Sequence, residues 1–142
     1  EYVELGGNLT YQNAITESRD ARLGKFRGDR IPNRPYLWAN GRVRLQKRAA
    51  ITDNDELSLT WHTRYVHSFY LNWEGAGRKG PEDAVPDQVV HSIVLSYLVK
   101  RAKERQIAFT SEVQNLTDEQ TFDFYGVQRP GRAVFCKATL VY

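Results

Sequence analysis

The sequence predicts an all-β protein, an antiparallel up-and-down arrangement of six strands. Three observations predict it. Apolar and polar residues alternate with a period of two, most clearly over residues 57–73. The connections between alternating segments are long and short in turn. The sequence ends on a strand, residues 133–142, in which Val134, Cys136, Ala138, Leu140 and Tyr142 share one parity and none is charged. A soluble domain usually frays into polar residues at its end, so a final strand of this kind must be paired and its apolar face covered.

The chain has 142 residues, enough for one domain. It begins with Glu1 and contains no Met, as expected of a mature chain or a piece of a longer one. It carries no signal peptide and no run near the roughly 18 apolar residues of a membrane helix. Strands of a membrane barrel give no such run, so a β crossing stays open. Cys136 is the only cysteine. That excludes an intramolecular disulfide and a Cys-rich metal site, and Cys136 reads as a small apolar filler. The net charge is +3. Basic residues gather in 19–34 and 100–105, in connections and without a recognition helix or an RNA-stacking strand, so nucleic acid is not expected as a partner.

Residues 2–14 read as the first strand. Val3, Leu5, Leu9 and Tyr11 oppose Glu4, Asn8, Thr10 and Gln12, and Gly6 and Gly7 mark a bend or a close backbone approach. Residues 15–35 form a long charged connection, unusual between strands of a compact soluble domain and ordinary for an outer loop of a membrane barrel. Residues 36–47 form the second strand, with Leu37, Ala39, Gly41, Val43 and Leu45 against Trp38, Asn40, Arg42, Arg44 and Gln46. Asp53, Asn54 and Asp55 signal a turn in the shorter connection 48–56.

Residues 57–73 form the third strand. Leu57, Leu59, Trp61, Thr63, Tyr65, His67, Phe69, Leu71 and Trp73 share one parity. The run exceeds the usual five or six residues of a soluble strand and the 9–11 tilted residues of a bilayer crossing. Trp61, Tyr65 and Trp73 would suit membrane-interface girdles. Length and parity alone fit an amphipathic strand on a soluble core equally well.

The next long connection, 74–88, contains G-A-G-R-K-G at 75–80. The spacing is that of a nucleotide fingerprint. Pro81 and Pro86, however, bracket a short acidic stretch directly after it, and no helix can begin there to hold a pyrophosphate, so a loop is expected. Residues 89–99 alternate as Val89, His91, Ile93, Leu95, Tyr97 and Val99, yet Val90, Ile93, Val94, Tyr97 and Leu98 also make a helical stripe. β-Branched residues favour strand, tight turn at 100–105, then strand at 107–113, with a helix as the rival.

Six strands result, with long connections at 15–35, 74–88 and 116–132. Antiparallel neighbours put all three at one end and the short turns at the other, the layout of an outer-membrane barrel. Arg42, Arg44, Arg64 and Lys137 fall on the parity opposite the apolar one and would face the lumen.

Residues 115–132 read N-L-T-D-E-Q-T-F-D-F-Y-G-V-Q-R-P-G-R. With the final aromatic-ended strand, they resemble the carboxy-terminal end of TonB-dependent outer-membrane receptors. Tyr125, Gly126, Pro130, Gly131 and Arg132 carry the match, and R-I-P-N-R-P-Y-L-W-A-N at 30–40 is similar to a late segment of the same family. The resemblance implies that residues 1–142 are the last six strands of a barrel of about 22 strands, with the amino-terminal plug absent from this chain. It implies an active transporter of the Gram-negative outer membrane that imports a metal chelate, vitamin or glycan with TonB-coupled energy. Its partners would be outer-membrane lipid, the remaining strands and plug, TonB through that plug, and a small-molecule or glycan substrate. Tyr142 would be the barrel assembly signal.

Candidate ligand contacts are Arg22, Arg27 and Arg30 in the first loop and Phe122, Phe124 and Tyr125 in the last. No catalytic, cofactor or metal residues are expected: His62, His67 and His91 are scattered, His62 and His67 differ in parity, and no nucleophile–base spacing is present, so an enzyme is not expected. The alternative is a soluble β-sandwich or small barrel that binds a ligand or partner. It accounts for the alternation but not for the loop asymmetry or the terminal motif.

Overall fold

A strand with a period of two buries one face only if each neighbour holds the same register, because a slip of one residue turns every side chain over. In the computed structural model, which describes residues 1–76, 83–101, 105–123 and 126–141, that condition is met across the whole sheet. The strands are β1 (Tyr2–Tyr11), β2 (Leu37–Arg48), β3 (Asp55–Val66), β4 (Phe69–Tyr70), β5 (Ala84–Val85), β6 (Gln88–Lys100), β7 (Gln106–Gln114) and β8 (Ala133–Val141). Six of them make one antiparallel sheet in the order β1-β2-β3-β6-β7-β8, and β4 and β5 pair separately. The protein is thus all-β and up-and-down. β1 and β8 are the two open edges.

Two elements differ from the sequence reading. The third strand stops at Val66 rather than running to residue 73. There the His67 N–H donates to the Leu37 carbonyl and the Ser68 N–H to the Asp87 carboxylate, which turns the chain off the sheet. Phe69 and Leu71 keep the alternation because β4 pairs with β5 and packs a small core of its own. The first strand ends at Tyr11, where Gln12 folds across to Pro35 and Tyr36. The helical reading of 89–99 fails, since β6 is paired on both sides, with β3 and with β7. Most of the glycine-rich segment, residues 77–80, lies outside the described residues.

The short turn between β2 and β3 is closed by one side chain. Asp55 accepts from the N–H groups of Ala50 and Thr52, each at 2.7 Å, and from the Tyr97 hydroxyl at 2.7 Å. Burial works to raise its pKa, but the Tyr97 hydroxyl and the N–H groups of Thr52, Ile51 and Ala50 outweigh it and hold the carboxyl at about 2. Ala49, at φ 51°, takes the left-handed conformation that starts this turn.

Candidate functional site

The register sorts the sheet into two unlike faces. Val3, Leu5 and Leu9 on β1 pair with Leu45, Val43 and Ala39 on β2, and these pair with Leu59, Trp61 and Tyr65 on β3. The same face continues as Leu95, Ile93 and Val89 on β6, then Phe109 and Val113 on β7, then Val134, Ala138 and Leu140 on β8. The other face carries Glu4, Arg42, Arg44, Glu56, Ser58, His62, Arg64, Gln88, Thr110 and Lys137.

Burial runs opposite to the rule for a soluble domain. The apolar face is open: Leu5 is 74% exposed, Leu9 71%, Leu140 68% and Trp61 43%. The polar face holds the buried Gln46, Ser58 and Gln88 and the ion pairs Arg42–Glu4 and Arg44–Glu56. The loop core, Val66, Phe69 and Val85 with Trp38, Leu71 and Phe122, draws on Trp38 and Val66 of the polar face, at its long-loop end. So the long connections fold over the polar face.

On each strand the apolar parity has definite limits. The uncharged stretches are 3–11, 37–45, 57–65, 89–99, 107–113 and 134–140. Lys47, Asp55, Asp87, Arg101, Arg105 and Arg132 stand at their ends on the same parity. Four of the six stretches match the 9–11 residues of a tilted bilayer crossing. Their centres also slope. On β1 and β2 the centres are the paired Gly7 and Gly41, opposite Thr63 of β3. On β7 and β8 they are the paired Thr110 and Lys137, which continue through Ser96 to Ser58 of β3. The centre therefore moves from position 63 to position 58 of β3, about one residue per strand, and with ~3.3 Å per residue and ~4.8 Å between strands this is a tilt of about 35°.

The three expected interface aromatics take different places. Trp61 sits at the middle of its stretch, not its edge; its indole N–H reaches Thr63 at 3.0 Å and His91 at 3.3 Å. Trp73 leaves the sheet and stacks on Phe26 at 5.0 Å, joining the first two long loops. Tyr65 does sit at the long-loop edge. Its hydroxyl lies 2.6 Å from His67 Nδ1, which contacts Asp87 at 2.9 Å. Tyr11 and Tyr36 pack edge to face beside it, and Arg30 lies 3.8 Å over the Tyr36 ring. Arg30 is thus committed to this cluster.

The last long loop shows why its motif has these residues. Asn115, buried and at φ 51°, bonds Glu119 through both ends of its amide, at 2.8 and 3.0 Å. Asp118 then reaches back to accept the Arg132 N–H at 2.8 Å. A β-carbon on Gly131 would meet the Asp118 carboxylate oxygen at 2.7 Å, so the bare glycine lets this clasp form. Gly126, at φ 76°, packs against Leu71; a β-carbon added there would come 3.2 Å from a Leu71 methyl.

Between the loops and the polar face lies a cleft of about 940 Å³. Gln12, Asn40 and Gln88 line it, with the apolar Trp38, Phe69 and Phe122 and the basic Arg34, Arg64 and Arg129. Gln88, 2% exposed, accepts the Phe122 N–H at 2.7 Å and so ties the last loop to β6. Asp123 also lines the cleft, and its carboxylate accepts the Val127 N–H at 3.0 Å.

Of the expected ligand contacts, Phe122 lines this cleft and Arg22, Arg27 and Arg30 do not. Phe124, Tyr125 and the expected assembly signal Tyr142 lie outside the described residues. Arg34, Arg64 and Arg129 were not among the expected contacts. Two left a trace in the sequence, Arg34 in the basic run 19–34 and Arg64 as a charge on the parity opposite Leu59 and Trp61. No protein-family description, no curated protein and no solved structure matches this chain.

Proposed function

We propose that the chain forms the carboxy-terminal wall of a TonB-dependent outer-membrane receptor. It would contribute six strands to a closed barrel that imports a scarce small molecule or glycan, with energy relayed through a plug domain and TonB. One observation carries the reading: an uncharged band of crossing length is left open on one face, while the loops cover the polar face. In a β-sandwich the apolar face is the covered one. In a membrane barrel apolar residues face lipid and polar residues face the lumen, which is the sense of this sheet. The slope of the band, near the 35–45° tilt of barrel strands, supports the same reading, as does the resemblance of residues 115–132. This reading assigns no covalent chemistry to the chain. The wall holds shape, and the loops contact ligand.

The test is fractionation of cells that make the full-length protein, with an antibody to residues 74–88. The expected result is a band in the outer-membrane fraction that changes mobility on boiling, with the epitope reachable on intact cells. Recovery in the soluble fraction would overturn the proposal and leave a ligand-binding β domain.

A further inference from the structure

We propose that the cleft over the polar face is an anion site, taking a small molecule that bears carboxylate or phosphate groups on an apolar or ring-containing body. Three arginines line it from distant parts of the chain: Arg34 before β2, Arg64 near the end of β3, and Arg129 in the last loop. Their state differs from that of the β2 arginines and of Arg132. Arg42 pairs with Glu4, Arg44 and Arg48 with Glu56, and Arg132 with Asp118. Among the described residues, no ion pair or side-chain hydrogen bond holds Arg34, Arg64 or Arg129. Arg129 is also near enough for its charge to oppose that of Arg64. Like charges kept together without a partner cost free energy, and an anion between them removes that cost.

The chemistry narrows the ligand. A guanidinium presents a flat fork of donors that matches a carboxylate or phosphate at two points. Asp123 offsets one of the three charges, so the lining stays cationic. Trp38 and Phe122 add apolar wall suited to a ring or hydrocarbon body, and the volume falls in the range of small-molecule pockets. Such a site needs only that the polar face be open to solvent. It does not rest on the membrane reading, and its test reads binding rather than localisation or transport.

The experiment labels arginines of the purified full-length protein with phenylglyoxal and reads each site by peptide mass spectrometry. Citrate serves as the carboxylate probe, glucose 6-phosphate as the phosphate probe and sucrose as the neutral control. At about ten times its Kd, an anion that fills the cleft is expected to slow labelling of Arg64 and Arg129 about tenfold. Arg22, exposed in the first loop, should label at an unchanged rate. Protection by citrate alone or by the phosphate alone supports the site and names its class. In an Arg64→Gln variant, the probe concentration that protects Arg129 should rise roughly tenfold, through loss of one charge-assisted fork. Equal rates with and without both anions, equal protection of Arg22, or protection by sucrose would overturn the proposal.

Discussion

The two faces of this sheet are made by the same strands and obey opposite rules. On one, Leu5, Leu9 and Leu140 stand open with nothing from the described chain upon them. On the other, Ser58 and Gln88 are buried, Arg42 and Arg44 pair with Glu4 and Glu56, and residues of two long loops pack down. Water would favour the reverse, since burying apolar area is the main gain of folding. The proposed membrane wall accounts for this reversal, since it sets lipid against the open face.

The sharpest way to break the comparison is to put one charge on each face. Leu59→Arg, near the middle of the band, should cost about 2–4 kcal/mol if that face meets lipid, and Thr60→Arg on the polar face about 0–1 kcal/mol. The fraction folded into lipid, read by heat-modifiable mobility, checks it; equal losses would remove the distinction between the faces. A smaller effect is expected in the loop layer. Gly126→Ala forces a β-carbon into the left-handed region against Leu71 and should cost about 1–2 kcal/mol, seen as faster proteolysis of the last long loop with the strands intact.

At the edge of the band the effects are smaller still. Ala49→Gly relieves a left-handed alanine in the β2–β3 turn; the ~1–2 kcal/mol of strain released, less the ~0.4–1 kcal/mol of added unfolded-chain freedom, should add up to about 1 kcal/mol, measured as a higher urea midpoint. Asp55→Asn keeps one acceptor oxygen where the carboxylate uses two, so it should lower the urea midpoint at neutral pH and lower it less in acid. With its carboxyl lowered from 3.8 to about 2 in the fold, Asp55 contributes stability that is complete above the unfolded value and is lost as pH falls through the folded one. Urea unfolding at about pH 5 and about pH 2.5 should show a smaller acid loss in the variant than in the parent.

The strands were legible because alternation is local: Leu57, Leu59 and Trp61 mark a strand whatever they pair with. The same locality misleads beyond Val66, since Phe69 and Leu71 alternate on a different partner after the chain has left the sheet. The loop asymmetry was legible from connection lengths alone. The cleft was not, because Arg34, Arg64 and Arg129 are far apart in sequence and meet only when two loops fold over β3. Arg22, Arg27 and Arg30 stand out instead in the sequence, being dense along the chain, but they do not converge on the cleft.

If the sheet closes into the proposed barrel, the slope of the uncharged band bears on pore size. A stagger of about one residue per strand is also that of an eight-stranded barrel with shear eight. At fixed stagger, diameter grows with strand number and tilt does not change. Each strand then takes about 6 Å of circumference, and these six take about 35 Å. Such an arc fits a ring of any size. The width of the passage would be set by how many hairpins complete the ring, so a lineage can widen or narrow it by adding or losing hairpins elsewhere without altering a residue of this segment.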